Sequence, residues 1–152
     1  MVNALLKNLY KSIFAHPNGK IEESYADPTF RLLCLASDGD WWVADVPWQG
    51  SMVLFRIGGH RVPASDLVER AGKIAQDFTG FVDLVARFLA EEGRRRKFLP
   101  YEYELAELSV SAINFLWPSE DKAEIEFSGG KAGRSWACAY DIGILRNLDF
   151  DS

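Results

Sequence analysis

Between Asp27 and His60 three alternating apolar runs are separated by two turn-forming clusters, Ser37-Asp38-Gly39-Asp40 and Pro47-Trp48-Gln49-Gly50. Alternation at a period of two sends successive side chains to opposite faces of a strand, and Ser, Asp, Pro and Gly favour the dihedral angles of a chain reversal. The stretch therefore predicts a three-stranded antiparallel meander. Phe30, Leu32, Cys34 and Ala36 share one face of its first strand, with Leu33 and Leu35 on the other. In the second strand Trp41, Val43 and Asp45 oppose Trp42, Ala44 and Val46, so one indole lands on each face. Val53, Phe55 and Ile57 give the third strand an apolar face opposite Met52, Leu54 and Arg56. Apolar residues on both faces call for cover on both sides, from helices or from a partner chain.

The period then changes. Gly58-Gly59-His60 ends the third strand, and Pro63-Ala64-Ser65-Asp66 opens a helix, with proline tolerated in the first turn and Ser or Asp available as cap. Leu67, Ala71, Ile74 and Phe78 recur at helical spacing. A second helix starts near Thr79 and repeats the pattern through Phe81, Leu84, Val85, Phe88 and Leu89 to about Gly93. Tyr101 to Glu107 suits a helical turn. From Leu108 the period returns to two, as far as Pro118, and Ala123–Ser128 and Arg134–Tyr140 follow as two more strands. Ile125 and Phe127 point inward with Glu124 and Glu126 outward, and Trp136, Cys138 and Tyr140 share a face. The order predicts an α+β fold built as strand meander, two helices and second strand meander (βββ-αα-βββ), with antiparallel pairing.

Ahead of the first meander, Leu5, Leu6, Leu9, Tyr10, Ile13 and Phe14 form a helical stripe beside Lys7 and Lys11. It is too short to span a bilayer, and a terminal helix laid against the domain is expected, ended by His16-Pro17-Asn18-Gly19. A chain of 152 residues, 48% of them hydrophobic, fills one core and is too short for two ordinary domains. The expectation is a single domain, 1–152, in which residues 1–19 are the N-terminal helix and linker. Cys34 and Cys138 lie in strand-like runs and read as small core hydrophobes in a reducing cytoplasm, no secretory leader being visible.

Charge separates the two halves of the chain. Residues 1–76 hold eight basic and eight acidic side chains, and residues 77–152 hold nine and fourteen, so the whole net charge of −5 belongs to the second half. Such a surface repels nucleic acid. Arg94-Arg95-Arg96-Lys97 follows a helix end, where cations oppose the negative end of the dipole. No Cys-x-x-Cys, His-Glu-x-x-His or calcium loop occurs, and Ser128-Gly129-Gly130-Lys131 lacks P-loop spacing. No cofactor, metal or catalytic residue is assigned. His60, after two glycines, is the one imidazole placed to reach a cleft.

Asp27-Pro28-x-Phe30, Gly39-Asp40-Trp41-Trp42, the strand through Val53 and Ile57, Ala123–Phe127, Trp136–Asp141 and the closing Leu148-Asp149-Phe150-Asp151 resemble a broad group of bacterial domains. Arg31 stands where that pattern would have glycine. Several such groups are suspected immunity proteins that neutralise toxins of contact-dependent or type VI secretion systems. The resemblance implies a cytoplasmic, non-enzymatic domain that occludes the active site of a cognate protein toxin, a basic nuclease being the kind that acidic character suits. On that reading the interface comprises Glu102, Glu104, Glu107, Glu120, Asp121, Glu124 and Glu126, with Trp48 as aromatic anchor. Two other classes stand beside it: a small ligand-binding domain or enzyme with a cleft near His60 and Trp41, and a regulatory or structural homodimer formed through an open sheet edge. Neither nucleic acid nor membrane is expected as partner.

Overall fold

The computed structural model describes residues 24–36, 39, 41–118 and 122–151. The N-terminal stripe, the Ser37-Asp38 turn residues, Glu120 and Asp121 lie outside them. Among the described residues, ten strands and three α-helices follow in the order β1 (Ser24–Asp27), β2 (Arg31–Leu35), β3 (Trp42–Trp48), β4 (Ser51–Ile57), β5 (Gly59–His60), β6 (Val62–Pro63), α1 (Ser65–Gln76), α2 (Phe78–Gly93), a 3₁₀ helix (Arg96–Tyr101), α3 (Glu102–Ala106), β7 (Ser109–Phe115), β8 (Lys122–Ser128), β9 (Ser135–Asp141) and β10 (Ile144–Asp151).

Eight of the strands form one sheet in the order β1-β2-β3-β4-β7-β8-β9-β10, and β5 and β6 make a separate two-residue hairpin. The expectation of two antiparallel meanders divided by helices is corrected by a single pairing: β4 and β7 lie side by side and parallel, with Phe55 opposite Ile113 and Ile57 opposite Phe115. Every other neighbouring pair in the sheet is antiparallel. Parallel neighbours need a crossover, and the segment from α1 to α3 supplies it. The two meanders are thus halves of one continuous mixed sheet, and β1 and β10 extend its two edges beyond the expected strands.

The helical segment covers one face. Leu67, Val68, Ala71 and Ile74 of α1 and Phe78, Phe81, Val85 and Leu89 of α2 are buried against Trp42, Phe55, Ile57, Ile113, Phe115 and Ile125. Phe55 stacks on Phe115 at 6.3 Å across the parallel pair and meets Phe78 of α2 at 6.2 Å. Asp77 caps α2 by accepting from the backbone N–H of Gly80 at 3.3 Å. The cap position of α1 is Ala64, so neither Ser65 nor Asp66 serves as the expected side-chain cap. The basic run is a solvated helix end, with Arg95 paired to Glu92 at 3.3 Å.

Two local departures from simple alternation shape the sheet. A bulge between Val110 and Ala112 shifts the phase of β7, so that Val110 opposite Phe127 and Ile113 opposite Ile125 both face the helices. Ser111, the extra residue, donates from Oγ to the carbonyl of Glu126 at 3.1 Å. The second departure is Arg31, which follows the turn fixed by Asp27 Oδ2 accepting from the N–H groups of Thr29 and Phe30, both at 2.9 Å. Arg31 has φ 66°, the left-handed conformation that glycine adopts most easily.

Candidate functional site

The face opposite the helices carries the polar chemistry. Glu124 and Glu126 of β8 point there, as the alternation implies. Arg56 of β4 reaches Glu126 at 2.6 Å and Asn114 Oδ1 at 2.9 Å. Asn114 Nδ2 donates to Glu126 at 3.0 Å and to Glu124 at 3.3 Å. This ladder spans three adjacent strands and joins the two halves of the sheet where they run parallel. Asn114 is only 7% exposed, and its amide is satisfied on both sides, which a buried polar group requires. Glu126 is consequently committed within the fold, while Glu124 remains exposed.

Beside the ladder the sheet surface is a trough. The outward residues of β9 are Ser135, Ala137 and Ala139, so this strand is low between its neighbours. Glu126, Ala137 and Asp149 form one cross-strand row, and Asp151 sits opposite Ser135. Glu124, Asp149 and Asp151 wall a cavity of about 310 Å³. Lys122 and Arg146 contribute positive charge nearby, and Arg146 lies 3.7 Å from Asp141. Asp149, Asp151 and Asp141 were not among the residues expected at an interface. Their signal was present in the sequence as alternation, since Asp149 and Asp151 flank Phe150 at a period of two.

Glu104 has a different role from the one expected. Its carboxylate accepts the indole N–H of Trp136 at 2.5 Å, Arg134 at 2.9 Å and the backbone N–H of Lys131 at 3.0 Å. Desolvation pushes its pKa up, but these three donors and the charge of Arg134 outweigh it and hold the carboxyl below the ordinary glutamate value. The Arg134 guanidinium lies over the rings of Tyr101 and Phe150 at 4.7 and 5.4 Å. Phe98, Tyr101 and Phe150 also pack around Trp136. Glu104 is a clasp holding α3 to β9, with little capacity left for a partner. Glu102 and Glu107 are exposed on and just after the same short helix.

Trp48 is half-buried and packs edge-on against Phe78 at 5.0 Å, so it anchors the β3–β4 hairpin to α2. His60 is exposed on the β5–β6 hairpin and stacks near the ring of Trp117 at 6.4 Å. Another cavity, of about 350 Å³, lies between α1 and the strand ends of β8 and β9, and neither His60 nor Trp41 lines it. Among the described residues no group of three or more His, Cys, Asp or Glu side chains is placed to hold a metal ion. Cys34 and Cys138 are both buried and unpaired. Burial, with the charges of Glu92 and Glu124 added to it, pushes the Cys138 thiol up to about 12.

Comparison with family models, with curated proteins and with solved structures finds no match for the chain. No helix among the described residues is long and apolar enough to cross a membrane.

Proposed function

We propose that this chain is a cytoplasmic immunity protein that binds a cognate bacterial toxin and covers its active site, acting by stoichiometric association rather than by turnover. The observation that carries the reading is the acidic trough on the sheet face opposite the helices, where Glu124, Asp149 and Asp151 surround a floor of small residues. A twisted sheet braced on its other side by two helices is a rigid platform, and rigid surfaces lose little entropy on association. Carboxylates that outnumber cations on that face speed encounter with a basic partner and orient it, which suits a basic nuclease as the toxin. The resemblance in the strand and turn motifs points the same way.

On this proposal the interface is redrawn from the environments of the side chains. Glu124, exposed and holding only the longer 3.3 Å contact from Asn114, takes the place of Glu126; Asp149, which faces Lys97 at 3.9 Å, and Asp151 join it, and Glu104 and Trp48 leave it. The homodimer alternative gains no support at the β10 edge, where a bulge, Arg146 and the two aspartates interrupt a regular pairing surface.

The test is co-expression of the tagged chain with the reading frames adjacent to its gene, followed by sizing of what is retained. A one-to-one complex with a toxin domain, weakened at least about tenfold by Glu124→Lys combined with Asp151→Lys, is the expected result. Recovery of the chain alone, or a complex indifferent to both reversals, overturns the reading.

A further inference from the structure

The cavity of about 350 Å³ has the composition of a ligand site. Ile74 of α1, Phe115 of β7, Ala123 of β8 and Tyr140 of β9 line its apolar part, and Arg70, Lys73 and Lys122 supply cations to its wall. Three basic groups converge there on a chain whose net charge is −5. Its size is at the small end of the range for organic ligands, which bind in mainly apolar clefts carrying a few oriented polar groups.

The lip of the cavity adds an independent observation. The β9–β10 turn places Ile142 at φ 44° and Gly143 at φ 81°, so both central residues are left-handed. Asn-Gly or Gly-Gly is the usual solution for such a turn, and a β-branched residue there is strained. Ile142 is nevertheless 70% exposed, so packing within the fold does not explain it. The strain is spent on presenting an apolar side chain at the mouth of a cavity whose wall is basic.

We propose that this cleft binds a small amphipathic organic anion, with a ring or short acyl chain against Phe115, Tyr140 and Ile142 and a carboxylate-type head group at Lys73, Arg70 and Lys122. The cations are not bare, since Lys73 shares its charge with Glu69 at 3.5 Å and Arg70 has an interaction within the fold. Ammonium and guanidinium groups carry three and five N–H donors, so a head group adds an acceptor without displacing these contacts. The site lies at the strand ends under α1 and meets the acidic trough at Lys122 and Ala123, which line both cavities, while its apolar pocket and the Arg70 and Lys73 wall belong to it and not to the trough.

The probe is 8-anilinonaphthalene-1-sulfonate, an anion with an apolar body whose fluorescence rises in a dry cleft, titrated into the folded full chain and then displaced with octanoate or octanol. Saturation at one probe per chain and displacement by octanoate at a concentration at least about tenfold below that of octanol are expected. Lys73→Gln combined with Lys122→Gln, both exposed positions, weakens the probe about tenfold or more in a chain that still unfolds cooperatively. Ile142→Asn relieves the left-handed strain, so it raises or preserves stability while weakening the probe. Absence of a saturable signal, equal displacement by octanol, or affinities within about threefold of wild type in both variants overturns the proposal.

Discussion

Glu104 on α3 accepts the indole N–H of Trp136 on β9 at 2.5 Å, and the same carboxylate holds Arg134 at 2.9 Å. A short helix with only Leu105 buried in its own right is thereby fastened to the sheet by charge-assisted hydrogen bonds. Replacing Glu104 by Gln leaves the shape, removes the charge and turns one of the two acceptor oxygens into an NH2 donor, so either Trp136 or the pair Arg134 and Lys131 N–H loses its acceptor. A loss of about 1–3 kcal/mol in unfolding free energy is expected, read as a lower urea midpoint at unchanged slope. Affinity for a toxin should not fall in proportion; if it falls as far as it does for Glu124→Lys, Glu104 belongs to the interface after all.

The same clasp predicts a pH dependence. Because the folded pKa of Glu104 lies below its unfolded value, its contribution is fully present above the ordinary glutamate pKa of about 4.3 and is lost as pH falls below it toward the folded value. The difference in stability between wild type and Glu104→Gln should therefore be constant near neutrality and shrink in acid. Urea titrations at a series of pH values measure it, and a difference that persists unchanged into strong acid contradicts the assignment.

Cys138 titrates in the opposite sense. Its thiol is pushed up to about 12 by burial, so the stability associated with keeping it protonated is complete below the unfolded thiol value of about 8.5 and is lost as pH rises through the folded one. Cys34 is fully buried, and burial raises its pKa also. Both thiols should resist iodoacetamide at pH 8 in the folded chain and react fully in denaturant, as counted by mass spectrometry. Modification of either one without unfolding would place it nearer the surface.

Arg31→Gly should stabilise the protein. A non-glycine residue in the left-handed region costs roughly 1–2 kcal/mol, and the extra freedom glycine brings to the unfolded chain takes back part of the gain, leaving about 0.5–1 kcal/mol. The thermal midpoint should rise by about 1–4 °C. An unchanged or lower midpoint would mean that the arginine side chain makes a compensating contact.

Much of this fold was legible because it is local. The inward set of β4 and β8, the two helices on the crossover and the outward Glu124 and Glu126 all follow from period alone. The clasp and the ladder were not legible. Arg56 and Asn114 did leave a trace, as single polar residues in otherwise apolar strands, but nothing in either run names the other, since 58 residues separate them. Glu104 resembled its exposed neighbours Glu102 and Glu107 because the property that distinguishes it is the arrival of Trp136 from 32 residues away.

The edge strands show the same boundary from another side. Ser24–Asp27 is too short for alternation to register, and Ile144–Asp151 is interrupted by a bulge that breaks its phase between Arg146 and Asp149. β7 held a clue to its position, for Ala112, Ile113, Asn114 and Phe115 are buried in succession, as in a strand covered on both faces in the sheet interior.

By itself the sequence determined which residues turn inward, where strands give way to helices, and that the second half is acidic. Those properties depend on the side chains of each segment and its own two faces. The tertiary structure alone decided that β4 and β7 are parallel neighbours, that Glu104 is bound to Trp136 and Arg134, and that three cations and a strained Ile142 surround one cavity. Strand neighbours are joined by backbone hydrogen bonds that nearly every residue can make, so the choice among them is settled only when helices, sheet and crossover pack together.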